Sequence, residues 1–454
     1  MESKPMPLPG FDVETHSSFL YLFFRSSFLD SKEDTMSNSR RHFLKTSIAA
    51  GVLGSISWKG NFEPTTAEED AIAKAADLPV LHLESLTSPV IIESIELLKA
   101  GKHFLARTRS KDGAIGFSMP NEKISFLYPI LLQQIIPFFI GKDARDLETL
   151  LDGVYVYESN YKMQGLALWC CVAWVERSLL DLMGRIANKH ISAFFGGRAR
   201  EQVPIYVASS NRETTPEEEV KILQQRIAET GAQAVKFKVG GRMSRNRDSI
   251  PNRSEGLIEL SRKILGDTIT IQADANGSYD VPKAIEIGRR LEAINAYLFE
   301  EPCPFDYLDE TKKVADALTI PVSGGEQESS EYRFAWMLRN NAVQIVQPDL
   351  HYYGGYIRAT RVARMAAAVN IPVTAHISSG DTGYADMANF FSFTPNMGKF
   401  QELKKGIEET GKLFDPPMTI HNGLLSIPTA PGLGMVHADE LAKNAKLVQE
   451  HIGQ

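Results

Sequence analysis

The chain has 454 residues, of which 43% are hydrophobic and 23% are charged. This ordinary globular composition excludes collagen, coiled coil and wholesale disorder. The 49 Lys and Arg residues are outnumbered by 56 Asp and Glu residues, and the formal charge of −7 argues against a nucleic-acid partner. Three cysteines provide neither a disulfide framework nor the spacing of a zinc site. Length and composition therefore indicate a large soluble protein and favour an enzyme.

Residues 36–79 differ from the rest of the chain and resemble an export address. The string Ser-Arg-Arg-His-Phe-Leu-Lys at 39–45 precedes an uncharged run at 46–58, a pattern typical of a twin-arginine (Tat) signal. The run is shorter than the roughly 20 apolar residues that a transmembrane helix needs. A basic amphipathic helix is the alternative. We therefore expect the Tat export machinery as a partner and the periplasm as the location.

The signal lies far from residue 1. Because such signals begin a chain, we expect translation to start at Met36 and residues 1–35 to be an extension from a start codon assigned too early. The stretch at 59–79 is polar and Ala-rich, which predicts a linker with a small-residue cleavage site at 73–75. The folded protein is therefore expected to begin near residue 80.

Residues 80–200 are predicted to form an α+β capping domain. The runs at 93–98 and 103–109 alternate apolar and polar residues, as half-buried strands do, and a turn at 111–113 leads into a third run. Residues 123–196 carry helical periodicity. A block of strands followed by a block of helices is typical of this class.

Residues 201–435 alternate short apolar runs with helical stretches. This alternation predicts a parallel sheet with right-handed crossovers, and seven or eight units favour a (β/α)7–8 TIM-type barrel. An open doubly wound sheet is the alternative, but the sequence lacks the Gly-rich loop expected after its first strand. The last segment, 436–454, is predicted to be a helical tail. The predicted strands are 203–208, 234–239, 268–274, 296–301, 321–326, 342–349, 371–377 and, more weakly, 390–394.

Six successive predicted strands, from the second to the seventh, end with ionisable residues. Barrel strands are otherwise nearly continuous apolar runs, and the active site of a barrel lies at the C-terminal strand ends. Solvent would explain one charged strand end, but six on one face indicate a functional site. In chain order the residues are Lys236 and Lys238, Asp274 followed by Asn276, Glu300 and Glu301, Glu326, Asp349, and His376.

Asp274, Glu300 and Glu326 form a candidate metal site. Each is 26 residues from the next, and each ends a neighbouring predicted strand. Three like charges in one barrel mouth repel each other and need a cation, and hard oxygen ligands favour Mg²⁺. The alternative is that these carboxylates simply pair with the nearby lysines.

Two candidate bases flank this site. Lys236 and Lys238 are two residues apart and so share one side of their strand. A lysine beside a second cation and a metal is biased towards the neutral form that a general base needs, although ordinary ion pairs would also explain both lysines. Asp349 and His376 end neighbouring strands, so the carboxylate can orient the imidazole. A carboxylate substrate would expose its α-proton to either base, and Mg²⁺ would stabilise the resulting enediolate.

Together these features resemble the enolase superfamily, mandelate racemase/muconate lactonizing enzyme family, mandelate racemase subgroup. The resemblance covers roughly residues 90–435, cap and barrel both. A single Glu-Glu-Pro would be a weak match, whereas the ordered set of motifs is specific. The motifs are Val235-Lys236-Phe237-Lys238, Asp274-Ala275-Asn276-Gly277, Phe299-Glu300-Glu301-Pro302, Gly325-Glu326, Gln347-Pro348-Asp349, Thr374-Ala375-His376 and, in the cap, 111–116 and 195–197.

The resemblance implies a role for each strand-end residue. The three carboxylates of the candidate metal site would bind Mg²⁺. Lys238 would be the base on one face, with Lys236 assisting it and contacting the substrate carboxylate. His376, paired with Asp349, would be the acid or base on the other face.

The resemblance also implies residues that contact the substrate. Glu402, which follows a Pro-Asn pair after the last strand, would hydrogen-bond the enediolate or carboxylate, and Gln401 is the alternative for this position. Asn276 is predicted to bind substrate. Tyr157, within the polar segment 155–162, is predicted to reach the substrate from the cap, unless this segment is only a solvated helix turn.

Several reactions are compatible with a two-base site. Dehydration of an acid sugar to a 2-keto-3-deoxy acid is the leading hypothesis, since it is the commonest activity in the subgroup. Racemisation, epimerisation and cycloisomerisation are the alternatives. A non-catalytic exported binding protein is disfavoured, because Lys238, Asp349 and His376 are all present. Family resemblance also predicts a symmetric homo-oligomer.

The segment 240–256, after the second barrel strand, offers a hint about specificity. It contains four arginines: Arg242, Arg245, Arg247 and Arg253. They would either meet an acidic substrate or decorate a mobile loop, and the sequence favours neither.

Overall fold

The computed structural model describes residues 66–378 and 380–452, so the predicted extension at 1–35 and the twin-arginine motif at 39–45 lie outside the described residues. Within the described part, no helix has both the length and the apolar character needed to span a membrane. Two sheets organise the fold. The strands are β1 (Ile92–Ala100), β2 (His103–Ser110), β3 (Ile115–Ser118), β4 (Gln202–Ala208), β5 (Ala234–Lys238), β6 (Thr270–Asp274), β7 (Leu298–Glu300), β8 (Val322–Gly324), β9 (Ile345–Val346), β10 (Gln401–Leu403), β11 (Ile420–His421), β12 (Leu424–Ser426) and β13 (Lys446–Ile452).

Helices follow the first three strands and then alternate with the strands of the larger sheet. A π-helical turn at Leu131–Ile135 joins the second and third α-helices. The α-helices are α1 (Thr66–Asp77), α2 (Ile124–Ile130), α3 (Ile136–Phe139), α4 (Leu147–Val156), α5 (Leu166–Ile186), α6 (Pro216–Thr230), α7 (Arg253–Leu265), α8 (Val281–Ala293), α9 (Leu308–Ala317), α10 (Glu331–Arg339), α11 (Tyr356–Ala368), α12 (Gly380–Phe393) and α13 (Ala438–Lys443).

The smaller sheet belongs to the cap and packs on α5. Its strands are antiparallel in the order β13-β1-β2-β3, and β1 to β3 form where alternating apolar residues predicted strands. Helix α5 lies so close to β3 that a Cβ atom at Gly116 would fall 2.3 Å from the backbone nitrogen of Leu182. A side chain is therefore excluded at Gly116, and this glycine permits the close packing of helix on sheet.

The C-terminal segment differs from the predicted helical tail at 436–454. Only Ala438–Lys443 is helical, and Lys446–Ile452 forms β13, which pairs in antiparallel fashion with β1. Without β13, this side of β1 would present a row of unpaired backbone N–H and C=O groups. The prediction of a helix is therefore wrong for 446–452, because a long-range pairing determines the conformation there.

The larger sheet confirms the predicted barrel class. Parallel strands β4 to β9 lie in sequential order, and β10 pairs in parallel with β4. Isolated parallel bridges from Val346 to Val373 and from Val373 to Met397 join β9 to the segment before β10. The parallel strands and the helices between them thus follow the order of a TIM-type barrel.

Two barrel strands differ from the prediction. The weak strand predicted at 390–394 is wrong, because 390–393 belong to α12, where Phe390, Phe391 and Phe393 are all buried. A short run that is apolar on every side has no period that separates a strand from a core helix. The eighth strand is β10, and the segment 371–377 contributes isolated bridges rather than a ladder.

The predicted linker at 59–79 is helical over its second half. Helix α1 packs against α10 and α11, and the side chain of Ile72 is fully buried. Arg364 of α11 donates hydrogen bonds to the carbonyls of Leu78 and Pro79, the two residues that follow α1, at 3.0 and 2.8 Å. The folded body therefore begins at least as early as Thr66, and the predicted cleavage site at 73–75 lies inside a docked helix.

Candidate active site

The parallel register places three functional residues side by side. Lys238 pairs with Asp274 across β5 and β6, and Asp274 pairs with Glu300 across β6 and β7. Glu326 follows β8 after Gly325, which has φ of +110° and where a Cβ atom would meet the ring of Phe334 at 2.7 Å. A glycine at this turn therefore lets the chain bring Glu326 back over the same strand ends.

Asp274, Glu300 and Glu326 converge as predicted. Each offers one oxygen atom, these oxygens lie within 4.8 Å of one another, and all three residues are buried. Burial, followed by the negative charge of Asp274, raises the pKa of Glu300 to about 7. The convergence of three buried carboxylates favours a bound cation, and an all-oxygen donor set fits a hard divalent ion. We call these three residues the carboxylate triad.

The two lysines of β5 pair with the triad. Lys236 Nζ lies 2.8 Å from both carboxylate oxygens of Glu300 and 3.1 Å from Glu402 Oε1, and Lys238 Nζ forms an ion pair with Asp274. Burial lowers the pKa of Lys236, but the surrounding carboxylates outweigh burial and hold this pKa well above its usual value. Lys236 is therefore a fixed positive charge beside Lys238. The lysines therefore pair with the carboxylates, as the alternative prediction stated, and the three carboxylates also converge as a metal site would require.

His376 and Asp349 form the predicted pair on the other side. His376 Nδ1 lies 2.8 Å from Asp349 Oδ2, and His376 Nε2 lies 3.4 Å from Glu326 Oε2. Burial lowers the pKa of His376. The negative charges of Glu326 and Asp349 raise this pKa by more than burial lowers it, so it lies above the usual value. Lys238 thus contacts the triad at Asp274, whereas His376 contacts it at Glu326.

Backbone groups hold Asp349 in place. Its Oδ1 accepts hydrogen bonds from the N–H groups of His351 and Tyr352, both at 2.8 Å, and from Ser378 Oγ at 3.0 Å. Burial raises the pKa of Asp349, but the hydrogen bond and charge of His376, with the backbone donors, outweigh burial and hold this pKa below its usual value. An ionised, fixed Asp349 can orient His376 so that Nε2 faces the triad.

Glu402 occupies the position predicted for it, and Gln401 does not. Glu402 Oε1 contacts Lys236, and its Oε2 lies 3.0 Å from Lys404 Nζ. Gln401 Oε1 instead accepts the backbone N–H of Ala375 at 3.2 Å, away from these charges. The side-chain alternation of β10 therefore selects Glu402 for the site.

Lys404 is a site residue that the sequence analysis missed. Its Nζ lies 3.2 Å from His376 Nε2 and donates to the carbonyl of Ile377 at 2.6 Å. The signal was available, because Lys404 is two residues after Glu402, the same spacing that identified Lys236 and Lys238. With the eighth strand predicted at 390–394, upstream of both residues, Glu402 and Lys404 do not share a predicted strand.

Lys404 is expected to tune the pH range in which His376 acts. Its positive charge lowers the pKa of His376, so Lys404→Met removes that influence and raises this pKa. If His376 acts in its protonated form, activity falls as pH rises through its pKa, and the variant's alkaline limb should move to higher pH. Profiles of kcat/KM from pH 5 to 10 measure the shift. Lys404→Arg, which keeps the charge, serves as the control, and an unmoved limb in Lys404→Met contradicts this assignment.

The two predicted substrate contacts lie in different surroundings. Asn276 lies beside the triad, since its backbone N–H donates to Asp274 Oδ1 at 2.8 Å. The ring of Tyr157 packs on that of Phe138 within the cap, with centroids 5.3 Å apart. The structure thus brings Asn276 to the site, whereas Tyr157 has a packing partner in the cap and its substrate contact stays a prediction.

Comparisons with known proteins agree with this geometry. Residues 218–441 match the family model described as enolase C-terminal domain-like. A Roseobacter denitrificans protein of known structure, provisionally assigned as a racemase, is 32% identical, and the match covers 80% of this chain and 100% of that one with a TM-score of 0.74. The chain therefore belongs to the enolase superfamily, as its motifs predicted.

Two further relatives bear on the chemistry. A mandelate racemase/muconate lactonizing protein from Paracoccus denitrificans, solved in complex with magnesium, is 26% identical over 79% of this chain and 99% of that one, with a TM-score of 0.72. Arabinonate dehydratase from Saccharolobus solfataricus is 27% identical over 342 residues, which are 74% of this chain and 88% of the relative. These similar proteins represent both the dehydratase and the racemase reaction classes that the sequence predicted.

Proposed function

We propose that the protein is a Mg²⁺-dependent dehydratase of acid sugars. The observation that carries this proposal is the placement of Lys238 and His376 at Asp274 and Glu326, two different members of the carboxylate triad. A substrate carboxylate bound at the triad would then lie within reach of both groups. The similarity to an arabinonate dehydratase supports dehydration among the reactions that such a site permits.

The triad is the proposed Mg²⁺ site. Its donors are all carboxylate oxygens, and a similar protein was solved with magnesium. When bound, the ion supplies a Lewis acid that stabilises the negative charge developing on the substrate carboxylate. Lys236, held charged by Glu300 and Glu402, adds a fixed positive charge beside that position.

The chain's own residues supply the proton transfers. Lys238 removes the α-proton at Nζ on one side of the substrate. On the other side, Asp349 accepts from Nδ1 of His376 at 2.8 Å, so that a protonated His376 donates from Nε2 to the departing hydroxide. Water leaves and the enol product becomes a 2-keto-3-deoxy acid.

A screen of acid sugars tests the dehydration proposal. Purified protein with Mg²⁺ should release a 2-keto-3-deoxy acid from one or more members of a broad sugar-acid library, detected by a 2-keto-acid assay and by NMR. If no member yields this product but deuterium from solvent enters at Cα, racemisation or epimerisation replaces dehydration. The racemase assignment of the Roseobacter protein makes this second candidate specific. Cycloisomerisation would instead appear as lactone opening or closure.

Location and assembly are proposed from the sequence. We propose that the twin-arginine motif directs the folded protein through the Tat machinery to the periplasm, and that the protein acts there as a homo-oligomer. Replacing Arg40 and Arg41 by Lys should leave the protein in the cytoplasm, as measured by cell fractionation. Unchanged periplasmic recovery would contradict export by this route. Light scattering of the purified protein measures the oligomeric state.

A further inference from the structure

Two arginines from different loops meet beside the carboxylate triad. Arg212 follows β4, and its Nη2 donates to Asn276 Oδ1, while Arg242 follows β5 and its Nη2 lies 3.5 Å from the same oxygen. Asn276 in turn donates its backbone N–H to Asp274 Oδ1 at 2.8 Å. One amide side chain therefore separates the arginine pair from a triad carboxylate.

The arginine pair has unused capacity for an anion. The Nε of Arg212 is buried and has no acceptor among the residues that the structure describes. Burial lowers the pKa of Arg212, and Asp274 and Glu326 counteract this effect, while Arg242 adds to it. Both carboxylates belong to the triad. A cation bound at the triad would neutralise their negative charge, which otherwise balances the positive charge of the arginines. An anion would then be needed beside the pair.

The loop that carries Arg242 is fixed to the barrel. Met243 N–H donates to the carbonyl of Asn276 at 3.1 Å, Asn246 N–H donates to the carbonyl of Ser278 at 2.7 Å, and Gly241 N–H closes the loop on Arg247. The alternative of a mobile, merely decorated loop is therefore disfavoured. Arg242 is held over the end of β6 by its own backbone.

One other arginine of the segment 240–256 has a structural role. Arg253 is buried and donates to the carbonyls of Thr214 and Lys238, so it anchors the loop. Arg245 is exposed on the same loop. Arg212 also lines a cleft of ≈ 450 Å³ with its neighbours at 210–214.

We propose that Arg212 and Arg242 bind a second anionic group at the far end of the substrate. The substrate would then be an acyclic polyhydroxy acid with an anion at both ends, either an aldaric acid or a phosphorylated aldonic acid. Guanidinium groups form paired, charge-assisted hydrogen bonds with the oxygens of a carboxylate or a phosphate. The triad takes the reacting carboxylate, so the distal group falls at the arginines. This inference rests on the proposed function only in assuming that the reacting carboxylate of the substrate binds at the triad.

Kinetics on matched substrates tests the site. A panel pairs aldarates such as galactarate and glucarate with the corresponding aldonates and 6-phosphoaldonates. We expect kcat/KM at least 100-fold higher for one dianionic class than for the aldonates. Arg212→Gln/Arg242→Gln should remove most of that preference, measured as the ratio of kcat/KM for the dianionic class to kcat/KM for the aldonates. Preference for aldarates identifies a carboxylate, and preference for phosphoaldonates identifies a phosphate.

Arg245→Gln is the control for Arg242→Gln, since each removes one positive charge from the same loop. Arg245→Gln should leave the preference unchanged, whereas Arg242→Gln alone should reduce it. Equal losses in these two single variants would reduce the effect to general electrostatics and overturn the proposal. Aldonate turnover that equals or exceeds dianion turnover would also overturn it.

A binding measurement separates this inference from the proposed function. Calorimetry on Mg²⁺-loaded Lys238→Ala compares the Kd of galactarate, 6-phosphogluconate and galactonate without any need for turnover. We expect at least tenfold tighter binding of one dianion, lost when Arg212→Gln/Arg242→Gln is added. If no acid sugar is dehydrated yet this difference holds, the proposed reaction fails and the anion site stands. If dehydration occurs but the difference is absent, the anion site fails alone.

Discussion

Lys238→Ala should lose turnover by about 10³-fold or more, because general acid–base groups contribute roughly 10²- to 10⁴-fold to rate. Lys238 Nζ contacts Asp274, so it is the base positioned at one side of a substrate bound at the triad. Exchange of the α-proton with deuterated solvent should disappear together with turnover, since both need this base. Steady-state kinetics and NMR of the α-carbon measure the two effects.

Two comparisons separate loss of chemistry from loss of structure. Lys238→Ala should still bind Mg²⁺, and more tightly than wild type, because Asp274 loses the ammonium that now pairs with it. Lys399→Ala removes an exposed lysine just ahead of β10 and should keep full activity. Wild-type turnover in Lys238→Ala would overturn both the assigned base and the proposed mechanism.

Glu300→Gln should abolish activity by removing the metal. Glu300 belongs to the carboxylate triad, and replacing it by a neutral amide takes away one of three anionic ligands. Metal ligands depend on charge as well as on shape, so we expect Mg²⁺ affinity to fall by about 100-fold or more. In wild type, Mg²⁺ at 100 times its Kd should stabilise the fold by about 2.7 kcal/mol, and the variant should lose this stabilisation at the same concentration.

The adjacent glutamate provides a matched control. Glu301 is also buried and lies next to Glu300 in the chain, but it is not a member of the triad, and Asn276 Nδ2 donates to its Oε2 at 3.4 Å. Glu301→Gln therefore changes a neighbouring side chain of the same shape while leaving the three ligands in place, and it should keep the Mg²⁺-dependent rise in melting temperature. Equal loss in both variants would contradict the specific role of the triad, and unchanged Mg²⁺ binding in Glu300→Gln would exclude the triad as the site.

The site was predictable because parallel strands end at one edge. Asp274 and Glu300 each close an apolar run and pair in register across β6 and β7, and Glu326 follows the apolar run of β8 by only two residues. The same logic placed Asp349 against His376. Local pattern and fold geometry agree at these positions, so a periodicity argument is sufficient.

The missed features depend on contacts between distant parts of the chain. Residues 390–393 are buried on every side within α12, so their sequence shows no period that separates a strand from a helix. A strand predicted there leaves β10 and the adjacent Lys404 outside the predicted strands. Residues 66–77 were assigned to a linker because their composition is polar, yet burial of Ile72 anchors them. Contacts between residues far apart in the chain determine the conformation of both segments, and composition alone does not predict such contacts.

The pairing of β13 with β1 has a consequence for the order in which the protein can be made. Cap strands come from both sides of the barrel in sequence, so the barrel is effectively an insertion within the cap. During synthesis the first strands emerge early, but their sheet stays one strand short until residues 446–452 leave the ribosome. The cap sheet is therefore completed only after the barrel has been synthesised. A chain with this requirement suits a translocation route that carries proteins after folding, which is the route proposed for its twin-arginine motif.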